Sequence, residues 1–281
     1  MYKLEGGLKT KGLFNKKSEE EKPLVTIVTP VYNGEKYLEE TIQSIITQTY
    51  DNIEYIIIDG NSTDRTIDII KKYENKIAYW LSEPDNGMYD AIKKGFKVAN
   101  GEIYGWLNAS DKYYQSAVEV VVKTYNNYPE REWVTGIPTL YDENGLIVRV
   151  GEPLFYFNKF FKMGLYRGDV LGWLQQESTF WKKSLWEKVN GINNELKFAG
   201  DYDLWVRFSK YAHIYVIPTI LGGFRGHPSQ KGEEIEEYYA ECDAIKKIKF
   251  KRFWKAIRQW IRLSSILLAI NRRRKDKILL K

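Results

Sequence analysis

Three apolar segments of this 281-residue chain each end in a cluster of polar residues. The clusters are Thr29–Asn33, Asp59–Asp64 and Asn108–Asp111. Between these segments, Glu35 to Thr47 and Met88 to Ala99 carry apolar residues at helical spacing. Alternating strands and helices predict an α/β fold, with a mostly parallel central sheet that is covered by helices on both faces. Because the carboxyl ends of such strands border a crevice, we expect the polar clusters to line a ligand site.

The pattern changes after about residue 130. Trp133 to Ile137 predicts another strand, and Asp142–Gly145 predicts a hairpin turn between extended segments. The segment from Phe155 to Trp173 is aromatic-rich and irregular, as expected for a loop that faces an acceptor. Helices are predicted from Lys182 to Val189 and from about Asp203 to Tyr211.

We expect one domain over residues 23–240, with a first half over about 23–130 and a second half over about 131–240. Residues 1–22 are polar and lack the apolar core of a signal peptide, so they are predicted to form a flexible leader. Cys242 is the only cysteine, which excludes an internal disulfide and fits a reducing compartment. No apolar run is long enough to span a bilayer. These features predict a cytoplasmic protein.

Positive charge is concentrated at the C-terminus. Residues 245–281 carry fourteen Lys and Arg and one acid, a net charge of +13, whereas the rest of the chain is −7. Apolar residues from Phe250 to Leu268 fall on one face of a predicted helix, and Lys and Arg surround the other. Basic amphipathic helices with tryptophan at the boundary bind anionic membrane surfaces. We therefore predict that residues 241–281 form a basic amphipathic tail and that residues 245–281 bind the inner face of the cell membrane.

The alternative for this tail is a helix docked on the domain itself or on a second subunit of a homodimer. A nucleic-acid partner is not expected, because the rest of the chain is acidic and would be repelled.

Seven ordered motifs carry a resemblance to a known family. They are Val25–Asn33, Asp59–Asp64, Ser82–Ala91, Gly105–Asn108, Gln176–Trp181, Gly200–Arg207 and Gly222–His227. Together they resemble the family 2 glycosyltransferases of the GT-A fold, of the type that builds bacterial surface polysaccharides. The resemblance covers roughly residues 24–240. It implies inverting transfer of a sugar from a nucleotide diphosphate sugar, expected to be a UDP-sugar, to a hydroxyl of a glycan or lipid-linked glycan.

The resemblance also implies roles for individual residues. Pro30, Tyr32 and Asp59 are expected to line the base and ribose pocket, and Asp85 and Asp90 to lie beside the ribose and sugar. The remaining residues expected around the donor are Asn33, Ser62, Gly87, Asn108, Ser110, Arg225 and Lys231.

Two further roles follow from the chemistry that the resemblance implies. Asp111 and His227 are expected to contact Mn²⁺ or Mg²⁺, since a cation neutralises the charge on the leaving diphosphate. Asp201 matches the catalytic base, which takes the proton of the attacking hydroxyl. The chain departs from the family where Ser110 replaces the first of two adjacent acids. It departs again at Gly200, where the family often has an acid before the base.

Structural alternatives exist for several of these residues. Asp59 and Asp111 could cap helices or turns. Asp201 could be the N-cap of the helix that follows, and Asp203 is the alternative base. His227 is as readily structural as functional.

Two classes of function remain open at this point, an enzyme and a catalytically weak nucleotide-sugar-binding scaffold in a glycan assembly complex. Ser110 is the feature that favours the scaffold. A dinucleotide oxidoreductase is not expected, because no Gly-x-Gly-x-x-Gly follows the first strand. A processive membrane synthase is not expected either, because spanning helices and a Gln-x-x-Arg-Trp signature are lacking.

Overall fold

The computed structural model describes residues 3–151, 156–227 and 234–259, which form a mixed α/β structure. The strands are β1 (Leu4–Gly6), β2 (Val25–Val31), β3 (Ile53–Asp59), β4 (Tyr79–Ser82), β5 (Ile103–Trp106), β6 (Lys112–Tyr113), β7 (Trp133–Thr135), β8 (Thr139–Tyr141), β9 (Ile147–Val150), β10 (Thr179–Lys182), β11 (Ile214–Val216) and β12 (Gly222–Arg225). The helices are α1 (Leu38–Ile46), α2 (Thr66–Lys72), α3 (Met88–Lys97), α4 (Ala117–Asn127), α5 (Asn158–Lys162), α6 (Lys183–Lys188), α7 (Gly200–Phe208) and α8 (Ile235–Ile245). Short 3₁₀ turns cover Glu74–Lys76 and Gln176–Ser178.

The main sheet has eight strands in the order β1-β4-β3-β2-β5-β10-β7-β11. Strands β4, β3, β2 and β5 run parallel to one another, and β1 and β10 are antiparallel to their neighbours. The chain proceeds from β2 to β3 and β4 on one side, and then returns to place β5 on the other side of β2. The crevice at the carboxyl ends of β2 and β5 is therefore the switch point at which open α/β sheets bind ligands.

Burial on both faces explains why β2 and β3 lie at the centre of this sheet. Every residue of both strands is buried, and Ile and Val dominate them, as is typical of parallel strands covered on two sides. One face packs against α1 and α4, through residues such as Ile42 and Val121. The other packs against α3 and α7, through residues such as Ile92 and Trp205. The predicted fold class is confirmed.

A second sheet has four strands in the order β6-β12-β8-β9. Strands β8 and β9 form an antiparallel hairpin, and the Gly145 N–H donates to the Asp142 carbonyl at 3.0 Å in its turn, as predicted. Strand β6 directly follows Asp111, and its pairing with β12 brings residues 222–225 beside the end of β5. This small sheet therefore links the second half of the domain to the crevice.

The prediction of a flexible leader over residues 1–22 is wrong for the part that the structure describes. Strand β1 pairs with β4 at the edge of the main sheet, with Leu4 opposite Ser82. The N–H groups of Leu8 and Lys9 donate to the carbonyls of Ile77 and Ala78 at 3.0 and 2.8 Å. A strand of three residues with one apolar side chain is too short to show a periodic pattern in the sequence. It is defined by its pairing with β4.

The C-terminal boundary predicted at residue 240 falls inside α8. Cys242 on this helix is buried with Ala199, Tyr202 and Val206 of the α7 region. The Arg167 side chain is fully buried and donates to Asp169 at 2.8 Å and to Asp243 at 2.6 Å. Helix α8 therefore belongs to the domain.

As far as residue 259, the C-terminal tail is docked on the domain, as the alternative for this tail predicts. Residues 251–259 are helical. Lys251 pairs with Asp169 at 2.5 Å, Arg258 donates to the Gly168 carbonyl at 2.5 Å, and the Trp254 ring lies 5.3 Å from the Phe160 ring. Lys251 and Arg258 belong to the basic face of the predicted helix, yet both contact the domain, so the predicted division of this helix is wrong. The rest of the predicted stripe, to Leu268, lies outside the described residues, and no described helix is long and apolar enough to cross a membrane.

The Arg167–Asp243 pair gives a test of how firmly α8 is attached. Asp243→Asn should lower the free energy of unfolding by about 1–2 kcal/mol, because a buried guanidinium loses one of two charged acceptors. Urea denaturation measures this change. The exposed Asp68→Asn variant is the control and should change the same free energy by about 0.5 kcal/mol or less. Equal, small effects of both substitutions would contradict the attachment.

Candidate donor and cation site

Two loops at the carboxyl ends of β2 and β3 are joined by side-chain hydrogen bonds. The Asn33 N–H donates to the Ser62 hydroxyl at 2.7 Å, and the Asn33 side-chain oxygen accepts the Thr63 N–H at 2.9 Å. The Asp64 carboxylate accepts the Glu35 N–H at 2.9 Å. These bonds fix two predicted donor residues, Asn33 and Ser62, next to each other.

The exposed side chains of this region suit a nucleotide base. Pro30 lies buried within β2, whereas Tyr32 just beyond the strand is 66% exposed and offers a ring face for stacking. Asp59 at the end of β3 is fully buried. Its carboxylate accepts the Ser62 N–H at 3.0 Å, the Ser62 hydroxyl, and the Ser82 hydroxyl at 2.6 Å. In this structure Asp59 thus organises the loop, as its structural alternative predicts.

Asp85 and Asp90 occupy the loop before α3 and the first turn of that helix. The Asp85 carboxylate lies against Gly60, where an added Cβ would be 2.8 Å from its Oδ2. Burial raises the pKa of Asp85, which accepts the Gly87 N–H at 2.8 Å. Gly87 has φ of 110°, which other residues rarely adopt, and this turn starts α3. Asp90 accepts hydrogen bonds from the Asn86 N–H and the Asn194 amide, each at 3.2 Å.

Asp111 is held in a buried network at the end of β5. Its Oδ1 accepts the Arg225 N–H at 2.9 Å, and its Oδ2 accepts the Asn108 amide at 3.3 Å. Asn108 also donates to Gln176 at 3.3 Å, and Gln176 donates to the Trp106 carbonyl at 2.6 Å. Burial raises the pKa of the Asp111 carboxyl to about 7, against these hydrogen bonds. A bound cation would favour the charged form of such a group.

Arg225 has a different place from the one predicted. Its side chain is fully buried, and it donates to the Ser110 carbonyl at 2.8 Å, the Glu143 carbonyl at 3.0 Å and the Glu40 carboxylate at 2.8 Å. The assignment of Arg225 to the donor is therefore wrong for its guanidinium in this structure, because these contacts make it a link between segments. Ser110 itself stays half-buried. Lys231 lies outside the described residues.

His227 follows β12 and lies beside Tyr37, with the two ring centroids 4.9 Å apart. Burial lowers the pKa of His227, and the positive charges of Lys36 and Arg225 lower it further. The neutral imidazole that results is the form that binds metal ions.

Asp201 lies in the first turn of α7, which begins at Gly200 and not at Asp203 as predicted. Burial raises the pKa of the Asp201 carboxyl to about 6, and the residue as a whole is half-buried. Its Oδ1 accepts no hydrogen bond. The other candidate base, Asp203, is buried and accepts the Arg207 Nε at 2.8 Å, which is a structural role. The structure therefore favours Asp201 as the base.

Gly200 has a steric reason to lack a side chain. A Cβ at this position would lie 2.8 Å from three atoms of the Tyr89 ring. Tyr89 is itself fixed, since its hydroxyl donates to the Phe198 carbonyl at 2.8 Å. The acid that the family often has before its base is thus replaced here by the ring of a residue on α3.

Glu241 on α8 holds the loop that leads into Asp201. Its carboxylate accepts the N–H groups of Lys197, Phe198 and Ala199 at 2.9, 2.9 and 2.8 Å. Charged acceptors make stronger hydrogen bonds than neutral ones. The position of Asp201 therefore depends on a helix at the C-terminal end of the domain.

Three buried side-chain oxygens in this region accept no hydrogen bond. They are Oδ1 of Asn108, Oε1 of Glu177 and Oδ1 of Asp201. Buried acceptors are normally satisfied, so unpaired oxygens call for a partner. Oxygen ligands of this kind suit Mg²⁺ and Mn²⁺, and the residues present therefore fit the implied cation. Within residues 3–151, 156–227 and 234–259, no three His, Cys, Asp or Glu side chains cluster closely enough to hold a metal, so ligands from the donor would be needed.

Sequence reasoning missed two functional candidates in this site. Glu177 lies inside the motif Gln176–Trp181, but the resemblance gave it no role. Glu241 falls within the predicted C-terminal tail. For Glu177 the available signal was an acid directly before a strand of apolar and aromatic residues. For Glu241 no local signal exists, since its partners lie more than forty residues away.

Comparison with known proteins establishes the class. The model of glycosyl transferase family 2 matches residues 26–181, and this chain belongs to that family. A relative from Rickettsia felis, named an uncharacterized glycosyltransferase, is 31% identical over 230 residues, covering 79% of this chain and 37% of that protein. A Bacillus subtilis relative, named the putative teichuronic acid biosynthesis glycosyltransferase TuaG, is 36% identical over 101 residues, 35% of this chain and 40% of that protein. The match thus spans well under half the length of either relative.

Two solved structures have the same fold. Staphylococcus aureus TarS 1–349 in complex with UDP-GlcNAc has a TM-score of 0.63 at 18% identity, covering 79% of this chain and 65% of that one. The mannosyltransferase PcManGT from Pyrobaculum calidifontis, in complex with GDP-Man and Mn²⁺, has a TM-score of 0.58 at 16% identity, covering 87% and 71%. The likeness confirms the predicted GT-A architecture.

The contacts of Glu241 predict an effect on turnover. Glu241→Gln should lower kcat about tenfold, because the amide cannot accept all three N–H groups and the loop before Asp201 shifts. Steady-state kinetics with the donor varied measure this effect. The control is Glu237→Gln, an exposed change on the same helix, which should leave kcat unchanged. An unchanged kcat in Glu241→Gln would show that the loop does not position the base.

Proposed function

We propose that this protein is an inverting glycosyltransferase that moves a sugar from a nucleotide diphosphate sugar, expected to be a UDP-sugar, to a hydroxyl of a glycan or lipid-linked glycan. The observation that carries the proposal is Asp201, a half-buried residue at the start of α7 whose carboxyl has a pKa raised to about 6 and one oxygen without a hydrogen bond. A base with a pKa near neutrality is unprotonated at physiological pH and still accepts a proton well.

Each part of the site has a task in this reaction. Tyr32 offers a face to the base, and the joined loops of Asn33 and Ser62 define the edge of the base and ribose pocket. Asp111 and His227 would hold a Mn²⁺ or Mg²⁺ ion, which supplies positive charge against the leaving diphosphate. Asp201 takes the proton from the acceptor hydroxyl as that oxygen attacks the anomeric carbon. Because the hydroxyl displaces the diphosphate directly, the configuration at that carbon inverts.

The test is transfer from UDP-sugars in the presence of Mn²⁺, with proton NMR of the linkage that forms. An inverted anomeric configuration supports the proposal and excludes the alternative of a weak binding scaffold. Asp201→Asn should lower kcat by roughly 10²–10⁴, as expected for the loss of a positioned base, while donor affinity by calorimetry barely changes. Retained configuration, or a collapse of donor affinity in Asp201→Asn, would refute this role.

The raised pKa of Asp201 predicts how activity depends on pH. The base acts only when it is unprotonated, so kcat/KM should be level above about pH 7. Below about pH 6 it should fall tenfold for each pH unit, since the protonated fraction grows as the pH drops past the pKa. Initial rates between pH 4.5 and 8.5 in buffers of constant ionic strength measure this. A profile still level at pH 5 would contradict the assignment.

We also propose that the C-terminal region brings the enzyme to the inner face of an anionic membrane. The docked helix at 251–259 leaves Phe250 and Phe253 at 80% and 59% exposure, and Arg252 and Lys255 are exposed beside them. Exposed aromatic side chains with a basic rim are typical of surfaces that bind anionic lipid, where each Lys or Arg adds roughly 1 kcal/mol. The segment from Phe155 to Trp173, which is predicted to face the acceptor, contacts this helix through Phe160. It would then lie near a lipid-linked substrate.

Phe250→Ser combined with Phe253→Ser tests the membrane proposal. The double variant should keep its melting temperature, because both rings are exposed, and should lose most binding to phosphatidylglycerol-containing vesicles at low salt. Cosedimentation measures the binding. Leu13→Ser, a change at another exposed apolar residue, is the control and should bind as the unaltered protein does. Wild-type protein that ignores such vesicles would rule out the membrane role.

A further inference from the structure

Glu177 is a buried acid that the proposed mechanism does not use. It lies in the 3₁₀ turn Gln176–Ser178, directly before β10, and is 3% exposed. Its Oε1 accepts no hydrogen bond. Burial, followed by the negative charge of Asp111, raises the pKa of Glu177 well above its usual range, and Asp201 also contributes. Glu177 is therefore a buried acid with one carboxylate oxygen that has no hydrogen-bond partner among the described residues.

The fold explains how a residue so distant in sequence reaches Asp111. A Cβ on Gly222 would lie 2.2 Å from the Glu177 carbonyl oxygen, so the turn presses directly on β12. The Ser178 hydroxyl donates to the Gly222 carbonyl at 2.9 Å. Three residues further along, the Arg225 N–H donates to Asp111. Gln176, the neighbour of Glu177, accepts the Asn108 amide, so the turn is bound to both sides of the Asp111 network.

Two buried carboxylates in one small region destabilise a protein unless a proton or a cation neutralises their charge. At this place the chain also carries Ser110 where the family has an acid. The acid missing from position 110 and the carboxylate oxygen without a hydrogen bond at position 177 are therefore found in the same small region. Asn108 adds a third oxygen there that accepts no hydrogen bond.

We infer that Glu177 replaces the acid missing at position 110 as the second carboxylate ligand of the divalent cation. Asp111, Glu177 and the Asn108 side-chain oxygen then bind the cation together with the diphosphate of the donor, and His227 contacts the diphosphate in place of the cation. This inference rests on the proposed function, because the diphosphate completes the ligand set. The described residues contain no cluster of three acidic, His or Cys side chains. With the diphosphate as a further ligand, two carboxylates and an amide are enough to bind the cation.

The experiment measures Mn²⁺ affinity and does not depend on turnover. The full chain is titrated with Mn²⁺ at saturating UDP, and free Mn²⁺ is followed by its electron paramagnetic resonance signal. Glu177→Gln keeps the shape of the side chain and removes its charge, so it should weaken Mn²⁺ binding tenfold or more. Ser110→Asp should restore the affinity in the Glu177→Gln background. Glu236→Gln, an exposed change on α8, is the matched control and should bind Mn²⁺ as the wild type does.

The opposing explanation is that Glu177 is simply protonated, with no part in binding the cation. In that case Glu177→Gln, a neutral copy of the protonated acid, binds Mn²⁺ as well as the wild type, and the inference is overturned. Glu177→Asp covers the case in which Glu177→Gln does not fold, as judged by its melting temperature. It keeps the charge but shortens the side chain by one methylene, so it should weaken Mn²⁺ binding if the carboxylate is a ligand; an unchanged affinity also overturns the inference.

Failure of the proposed function has a different signature. Wild-type protein that binds neither UDP nor Mn²⁺ would contradict sugar transfer from a UDP-sugar donor, and Glu177 would lose its role with it. Wild-type protein that transfers sugar while Glu177→Gln retains full Mn²⁺ affinity would leave the function intact and remove only Glu177.

Discussion

The hydrogen bond from the Arg225 N–H to the Asp111 carboxylate joins the two parts on which this structure depends. Asp111 comes from the end of β5 in the main sheet, and Arg225 comes from the last strand of the small second sheet. The buried Arg225 side chain then extends to Glu40 on α1 and to the carbonyls of Ser110 and Glu143. One residue thus connects both sheets and a helix around the acid expected to bind the cation. A buried guanidinium with several partners is costly to rearrange, so this region should be rigid.

Local pattern was sufficient to predict strands β2, β3 and β5 and helices α1 and α3 in the first half of the domain, whereas β6 and α4 were not predicted. Strands β2 and β3 are continuous apolar runs, and α3 has a clear helical period, so burial on two sheet faces follows from the sequence alone. The polar residues at the strand ends could be placed in one crevice because parallel strands must end on the same side. That geometry predicted Asn33, Ser62 and Asp111 as neighbours of a site without any knowledge of contacts.

The remaining features depend on contacts between distant segments. The spacing of apolar residues along the chain gives no information about such contacts. Arg225 looked like a phosphate ligand in the sequence, but burial and three oxygen partners made it a structural link. Strand β1 was missed because three residues paired at a sheet edge leave almost no pattern. Glu177 was given no role because its place near the Asp111 network arises only from contacts of the turn before β10 with β12 and with Asn108.

The contact between Gly200 and Tyr89 constrains how this site can change over evolution. A side chain at position 200 cannot be accommodated while the Tyr89 ring lies 2.8 Å from the position of its Cβ. A substitution that restores an acid beside the base would be selected against unless position 89 had first become smaller. Positions 89 and 200 are therefore sterically coupled, although they lie on two different helices, α3 and α7.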